Sequence, residues 1–250
     1  MESEKVGAGA GEASSSAVGD LISAGNSRWS FDGSVSDTFD DHVSKSVPLY
    51  GTGHDLVAKV SDFFLQAGSV CYDLGCSTGT LTMNLAERNA DRDVRVIGID
   101  PVSSMVERAR SRTGDLVNLE YIEADVLDVD LEPADLIVSY YTQQFVKPKH
   151  RQTLVNKVYE ALNWGGAFLL FEKVRAPDAR FQDMMSAIYV DYKIDRGYNA
   201  DEIVGKSRSL KGVLEPFSTQ GNIDLLERAG FVDVMTIMKY VCFEGFLAIK

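Results

Sequence analysis

The sequence predicts an α/β, Rossmann-like fold built on a mostly parallel seven-stranded sheet. Between residues 69 and 174, short β-branched apolar runs alternate with amphipathic segments, a pattern typical of βαβ units. The runs are apolar almost throughout, as expected for strands covered by helices on both faces. After residue 231, two further runs follow each other with no room for a helix. They predict a C-terminal antiparallel hairpin.

Each predicted element has its own local signal. Short β-branched or aromatic runs predict strands at 69–75, 94–100, 119–125, 134–141, 167–174, 232–241 and 243–250. Apolar residues at helical spacing predict helices at 54–66, 81–89, 103–112, 151–162 and 218–231. The Asn-Trp-Gly-Gly segment at 163–166 predicts a turn before the fifth strand.

The 250 residues are enough for one α/β domain with additions. Residues 1–25 are rich in Gly, Ala and Ser and have few large apolar side chains. They predict a disordered tail, because such a segment cannot offset its ordering entropy. The catalytic domain is expected over 26–250. Within it, irregular helical segments at 175–215 interrupt the alternation and predict a cap or interface insertion.

Composition excludes several classes of protein. A net charge of −12 with no basic stripe argues against a nucleic-acid partner. The three cysteines show no C-x-x-C spacing and the three histidines lie far apart, so neither a disulfide scaffold nor a metal site is predicted. The chain lacks an apolar run of about 18 residues and a signal-peptide pattern, so we expect no membrane span and a cytoplasmic location.

Acidic residues end three successive predicted strands. The turn Asp73-Leu-Gly-Cys-Ser-Thr-Gly79 follows the first strand, Asp100 ends the second, and Asp125 ends the third. The glycines allow a tight turn close to a ligand, and the two later acids can accept hydrogen bonds from ribose hydroxyls and an adenine amine. The turn has no basic residue for a pyrophosphate. The pattern therefore favours S-adenosylmethionine, the alternative being that these acids only cap helices.

Ten short motifs support a resemblance to a known family. They are W-S-F-D (29–32), K-S-V-P-L-Y (45–50), Y-D-L-G-C-S (72–77), I-D (99–100), E-A-D-V (123–126), T-Q-Q-F (142–145), L-N-W-G-G (162–166), E-K (172–173), G-Y (197–198) and A-G-F (229–231). Over about residues 29–250 the sequence resembles the carboxy-S-adenosylmethionine synthases, which have a class I methyltransferase fold. The resemblance implies a homodimer in which the 175–215 insertion reaches the neighbouring subunit's site.

The turn and the resemblance together define a predicted cofactor-binding set. Its members are Tyr50, Asp73, Gly75, Cys76, Ser77, Asp100, Pro101, Asp125, Val126 and Tyr140.

Two departures from the family bear on the activity. The family has an arginine where this chain has Ser207, with Arg208 one step away, and an asparagine where this chain has Tyr140. The arginine would bind the carboxylate of the modified cofactor, and Arg208 would replace it only after a one-residue shift. A buried anion without a charged partner is costly. We therefore expect ordinary methyl transfer to a small-molecule acceptor, in specialised metabolism.

Three other functions are kept as alternatives. The first is carboxy-S-adenosylmethionine synthesis from S-adenosylmethionine and prephenate, and the second is a non-catalytic cofactor-binding partner protein. A tRNA methyltransferase fits the acidic charge less well.

Aromatic and acidic residues are candidates for work at the reacting methyl. Trp29, Tyr50, Tyr140 and Tyr141 could face the sulfonium, since aromatic faces attract cations. Their alternative role is core packing. If the acceptor must lose a proton, Glu172 is the candidate base; otherwise it orients a ligand or pairs with Lys173.

Two tyrosines of the insertion are candidates for binding the acceptor. Tyr192 and Tyr198 could contact it or only pack within the insertion.

Overall fold

A computed structural model describes Phe31 and residues 35–250, which form the predicted seven-stranded sheet. The strands are β1 (Val70–Leu74), β2 (Arg95–Asp100), β3 (Leu119–Glu123), β4 (Ala134–Tyr140), β5 (Leu162–Lys173), β6 (Asp233–Tyr240) and β7 (Phe243–Ile249). Their order is β3-β2-β1-β4-β5-β7-β6, and β7 is antiparallel to both of its neighbours. This confirms the fold class and the C-terminal hairpin. Residues 1–25 and Trp29 lie outside the described residues.

Helices cover both faces of the sheet. They are α1 (Val35–Ser46), α2 (Tyr50–Ser61), α3 (Thr80–Arg88), α4 (Ser103–Arg112), α5 (Pro148–Ala161), α6 (Ala179–Asp195), α7 (Ala200–Ser209) and α8 (Thr219–Ala229). Apolar residues of α2 and α3 pack against one face, and those of α5 and α8 against the other. None of the helices in Phe31 and 35–250 is long and apolar enough to cross a membrane.

The central strands are buried along most of their length, which explains their continuous apolar runs. Every residue of β1 is buried, and Tyr72 pairs with Ile97 of β2 on one side and Ile137 of β4 on the other. Successive side chains alternate between the two helical layers, as strand geometry requires. Thus Leu169 contributes to the layer with α2 and α3, and Leu170 to the layer with α5 and α8.

The predicted turn at 163–166 is instead part of β5. Leu162 pairs with Ala134 and Ala167 pairs with Leu136, so the register shifts and the extra residues form a bulge. Gly165 has a φ of +82°, which glycine adopts without strain. The Asn163 amide donates to Asp135 at 2.8 Å and holds the bulge against β4. The turn residues therefore bend the strand without ending it.

Helix α1 was not predicted from the sequence. Its Asp40 accepts hydrogen bonds from Thr78 (2.7 Å), Thr80 (3.1 Å) and Arg112 (2.8 Å), which belong to the turn after β1 and to α3 and α4. The C-terminal Ser46 carbonyl accepts from the Tyr189 hydroxyl at 2.7 Å. Val35, Phe39 and Val43 recur at every fourth position, a helical spacing that the sequence analysis overlooked. Contacts with distant parts of the chain stabilise α1 further.

The segment 175–215 contains α6 and α7, inserted between β5 and α8. Asp178 caps α6 by accepting the Phe181 N–H, and Asn199 and Glu202 form a reciprocal capping box at α7. Asn-x-x-Glu at 199–202 is a sequence signal for a helix start. The side chains of α6 and α7 close one end of the cavity described below.

We predict that Gly245→Ala lowers the free energy of unfolding by about 1–3 kcal/mol, because overpacking displaces buried neighbours. Gly245 pairs with Phe171 across β5 and β7, and an added Cβ would lie 2.5 Å from the fully buried Phe171 ring. Urea denaturation measures the change.

The matched control is Gly51→Ala in α2, where an added Cβ meets no atom within 4 Å. It is expected to stabilise the protein by about 0.5–1 kcal/mol, since alanine loses less entropy than glycine in a helix. Equal stability of Gly245→Ala and wild type would show that β7 can move away from Phe171.

Candidate active site

A cavity of about 480 Å³ opens at the carboxyl ends of the parallel strands. It lies where the strand order reverses between β1 and β4, the usual ligand position in open α/β sheets. Residues after β1, β2, β4 and β5 line one wall, and residues of α1, α2, α6 and α7 line the other.

The turn after β1 is fastened to the end of β2. The backbone N–H groups of Gly75 and Cys76 donate to the Ile99 carbonyl, at 2.7 and 3.0 Å. The Asp100 carboxylate accepts from the N–H groups of Ser77 and Val102, both at 2.9 Å. These bonds fix the turn and Asp100 as one unit beside the cavity.

Gly75 is required at its position in the turn. It has a φ of +78°, and a Cβ there would lie 2.2 Å from the Thr142 hydroxyl. The close approach brings the turn after β1 against the loop after β4. The sequence prediction that this glycine permits a tight turn is therefore met by the geometry.

The end of the cavity near this turn is acidic. Asp40, Asp73 and Asp100 line it, and Asp73 and Asp100 are buried. Burial is the main cause of the raised pKa of Asp73, about 7, although a hydrogen bond from Thr82 at 2.7 Å opposes the shift. Burial also raises the pKa of Asp100. Such carboxylates are suited to accept hydrogen bonds from sugar hydroxyls and to lie near a cationic ligand.

Three tyrosines and a histidine form an aromatic group in the middle of the cavity. The Tyr140 ring lies 5.2 Å from Tyr50, 4.8 Å from Tyr141 and 4.7 Å from His54, measured between centroids. The Tyr140 hydroxyl donates to the Tyr50 carbonyl at 2.6 Å. Burial lowers the pKa of His54 to about 4, so this imidazole is neutral. Its Nε2 is buried without a hydrogen-bond partner among the described residues.

The opposite end of the cavity is basic. Lys193 and Lys206 are buried there, and the Lys206 ammonium contacts His42 Nε2. This end is lined by the basic residues Lys173, Arg175, Lys193, Lys206 and Lys211. Five cations around one cavity are notable in a chain of net charge −12.

Most of the predicted cofactor-binding residues come together in this cavity. Those that line it are Tyr50, Asp73, Gly75, Cys76, Ser77, Asp100, Pro101 and Tyr140. Tyr141, a predicted catalytic residue, lines it as well. Asp125 and Val126 do not: Asp125 is exposed and accepts the Leu127 N–H at 2.9 Å, and Val126 packs in the core with α5 and α8.

Glu172, the predicted base, does not reach the cavity. Its carboxylate is fully buried on the other side of β5 and accepts the Gln144 N–H at 3.2 Å. Burial raises its pKa to about 8, although the neighbouring Arg151 lowers it. Glu172 therefore stabilises the loop after β4 and is not placed to take a proton from a substrate.

Three predicted substrate contacts from the insertion, Tyr192, Tyr198 and Arg208, do not line this cavity in the single chain. Arg208 is exposed and absent from the cavity lining, whereas Ser207 lines it. Tyr198 is buried with its hydroxyl 3.5 Å from His42 Nδ1. Tyr192 stacks on Tyr189, which lines the cavity, but Tyr192 itself does not line it.

Asp40, His54, Lys193 and Lys206 are among the polar residues of the cavity that the sequence analysis did not identify. Asp40 and His54 occupy helices next to the family motifs K-S-V-P-L-Y and W-S-F-D, which was the available signal. The two lysines occupy helices whose packing no local pattern gives. The expectation of ordinary methyl transfer rests on the loss of the arginine at 207, but the buried lysines Lys193 and Lys206 offer the same cavity other cations for a carboxylate. Among the described residues, no group of three His, Cys, Asp or Glu side chains could hold a metal.

The comparisons with known proteins agree with this geometry. A family described as a methyltransferase domain matches residues 71–166. Proteins named carboxy-S-adenosyl-L-methionine synthase are similar over 89% of this chain. The one from Campylobacter lari is 34% identical over 95% of its length. The relatives from Wolinella succinogenes and Staphylococcus epidermidis are 37% and 36% identical, over 94% and 97% of theirs.

Solved structures show the same fold. A putative S-adenosyl-L-methionine-dependent methyltransferase from Methanococcus maripaludis matches 89% of this chain and 95% of its own, with a TM-score of 0.59 and 20% identity. Human N-acetylserotonin methyltransferase in complex with S-adenosylmethionine matches 86% of this chain and 55% of its own, with a TM-score of 0.58 and 18% identity. The chain is an enzyme with a class I methyltransferase fold that uses S-adenosylmethionine. It belongs to the carboxy-S-adenosyl-L-methionine synthase family.

Proposed function

We propose that this enzyme makes carboxy-S-adenosylmethionine from S-adenosylmethionine and prephenate. The observation that carries the proposal is the division of one cavity into an acidic and a basic end. The acidic end suits the ribose and the cationic sulfonium. The basic end suits a second substrate that is an anion, because buried cations need anionic partners. An acceptor for ordinary methyl transfer has no such requirement.

The reaction balances without a base from the protein. Carboxylation replaces one C–H bond of the methyl group by a C–C bond to a carboxyl group. Prephenate becomes phenylpyruvate when it loses carbon dioxide and hydroxide. The carbon dioxide supplies the new carboxyl group, and the hydroxide takes the methyl proton as water. The position of Glu172 outside the cavity is compatible with this balance.

The residues of the chain would bind, orient and enclose the reactants. Asp100 would accept hydrogen bonds from the ribose hydroxyls, and the turn at 75–77 would lie against the methionine portion. Tyr50, Tyr140 and Tyr141 would present aromatic faces to the sulfonium. S-adenosylmethionine itself supplies the methyl group that is carboxylated.

Methyl transfer to a small molecule is the second candidate, and Ser207 favours it. A serine cannot provide the charge that the family's arginine gives to the new carboxylate. The two candidates differ in their second substrate and in the mass of the modified product.

We expect the purified enzyme to convert S-adenosylmethionine and prephenate into carboxy-S-adenosylmethionine and phenylpyruvate in equal amounts. Mass spectrometry measures the first product and ultraviolet absorbance the second. Omission of prephenate is the control and should abolish both. If S-adenosylhomocysteine accumulates with a small-molecule acceptor and no carboxylated product forms, the enzyme is a methyltransferase.

We predict that Asp100→Asn weakens S-adenosylmethionine binding at least tenfold, since a hydrogen bond to a charged group contributes about 1.5–3 kcal/mol. Asparagine retains one acceptor for the turn and loses the charge. Isothermal titration calorimetry measures the affinity. The control is Asp128→Asn, which changes an exposed carboxylate outside the cavity. Unchanged affinity in a folded Asp100→Asn variant would remove this residue from the ribose site.

We also propose a homodimer that uses α6. Phe181, Met184 and Ile188 occupy one side of this helix and are 49%, 50% and 43% exposed. A cluster of large apolar side chains on the surface is typical of an interaction site.

We place the enzyme in the cytoplasm, and its three buried, unpaired cysteines are compatible with a reducing compartment.

The dimer proposal predicts that Ile188→Asp yields a monomer, because a carboxylate would be buried in the interface without a partner. Light scattering during size-exclusion chromatography measures the mass. The matched control is Val117→Asp, at a fully exposed apolar residue between α4 and β3. A monomeric wild type, or a variant that stays dimeric, would contradict the proposal.

A further inference from the structure

Two lysines at the basic end of the cavity share one aromatic ring. Lys173 Nζ lies 4.3 Å from the centroid of the Tyr189 ring, and Lys193 Nζ lies 4.4 Å from it. Both side chains line the cavity. Lys173 comes from the end of β5 and Lys193 from the last turn of α6, so the insertion and the sheet meet at this ring.

The shared ring is held in place. The Tyr189 hydroxyl donates to the Ser46 carbonyl of α1 at 2.7 Å, and the ring packs against Phe243 at 5.3 Å between centroids. Because the tyrosine is fixed at both ends, it sets the positions of the two ammonium groups beside it. The pair is therefore a preorganised feature of the cavity wall.

Both lysines are removed from water. Lys193 is 7% exposed, and Lys173 is partly buried. Burial lowers the pKa of each lysine, and the pKa of Lys193 falls to about 8 with the charge of Lys173 as the second cause. Two buried like charges destabilise each other unless an anion compensates them.

No protein group supplies that anion among the described residues. Neither ammonium forms an ion pair or a hydrogen bond with a side chain or carbonyl of Phe31 or 35–250. The ring of Tyr189 offers only a cation–π contact, which is weaker than a charged hydrogen bond. The cavity therefore contains one buried and one partly buried cation with no anionic partner among the described residues, and a ligand can supply that partner.

We propose that Lys173 and Lys193 form a clamp for the carboxylate that the second substrate keeps, the one on its oxoacid side chain. This inference rests on the proposed function. Decarboxylation moves negative charge out of the departing carboxylate, so a cation paired with that group would retard the step. The clamp can hold the retained carboxylate without this penalty. The product, phenylpyruvate, keeps the same group and is a ligand that tests the clamp without turnover.

The experiment compares Lys173→Met, Lys193→Met and Lys193→Arg with wild type. Calorimetry measures phenylpyruvate binding to the enzyme saturated with S-adenosylmethionine. Each methionine variant should weaken phenylpyruvate at least tenfold and leave the affinity for S-adenosylmethionine within threefold. Arginine at 193 should restore most of the binding. The control is Lys59→Met, at an exposed lysine of α2 outside the cavity.

Thermal unfolding without ligand separates binding from a structural role. If the lysines serve a ligand, replacement of a buried cation by methionine leaves the melting temperature unchanged or raises it. If they serve the fold, the melting temperature falls. Phenylpyruvate binding that is absent in wild type, or unchanged in both folded methionine variants, would overturn the clamp.

Activity distinguishes failure of the clamp from failure of the proposed function. If the enzyme forms no carboxylated product but binds phenylpyruvate through both lysines, the clamp holds and the proposed synthase activity is wrong. If the wild type and both methionine variants form the carboxylated product with the same KM for prephenate, the proposed function holds and the clamp is wrong.

Discussion

The site depends on the hydrogen bonds that the Asp100 carboxylate accepts from Ser77 and Val102. One side chain at the end of β2 thereby joins the turn after β1 to the start of α4. The bonds satisfy backbone N–H groups that would otherwise be buried without partners. They also keep a carboxylate buried beside the cavity, where burial raises its pKa. Asp40 of α1 reaches the same turn through Thr78, so the outer wall of the cavity is attached at this point too.

Opposite charges occupy the cavity because different elements contribute its two ends. The acids lie at the ends of β1 and β2 or in α1, and the bases lie at or just after the end of β5, in α6 and α7, or just after α7. The aromatic group around Tyr140 lies at the end of β4, between the strands that carry the acids and the strand that carries Lys173. Charges of partly buried groups act more strongly on a bound ligand than charges in bulk water. A cationic sulfonium and an anionic second substrate would therefore be drawn to opposite ends and meet at the tyrosines.

Local patterns predicted the parallel core, the hairpin, the glycine turn and Asp100, because each depends on periodicity or on residues adjacent in sequence. The helical spacing of Val35, Phe39 and Val43 was overlooked, and the contacts of α1 with Thr78 and Arg112 are visible only in the structure. Local patterns also misplaced Glu172. Adjacent residues of a strand point to opposite faces, so either Glu172 or Lys173 could face a cavity beside β5. The sequence shows that Glu172 and Lys173 point to opposite faces of the sheet. It does not show which of these faces the insertion covers.

Tyr140 is accommodated by the glycine at position 53. An added Cβ at Gly53 would lie 2.0 Å from the Tyr140 hydroxyl, so a side chain at 53 and a tyrosine at 140 exclude each other. The tyrosine hydroxyl is already engaged by the Tyr50 carbonyl, whereas an asparagine amide would have left polar groups for a ligand. This part of the wall therefore offers mainly an aromatic face. Recognition of an anion must then come from the lysines at the other end, of which Lys193 and Lys206 are buried.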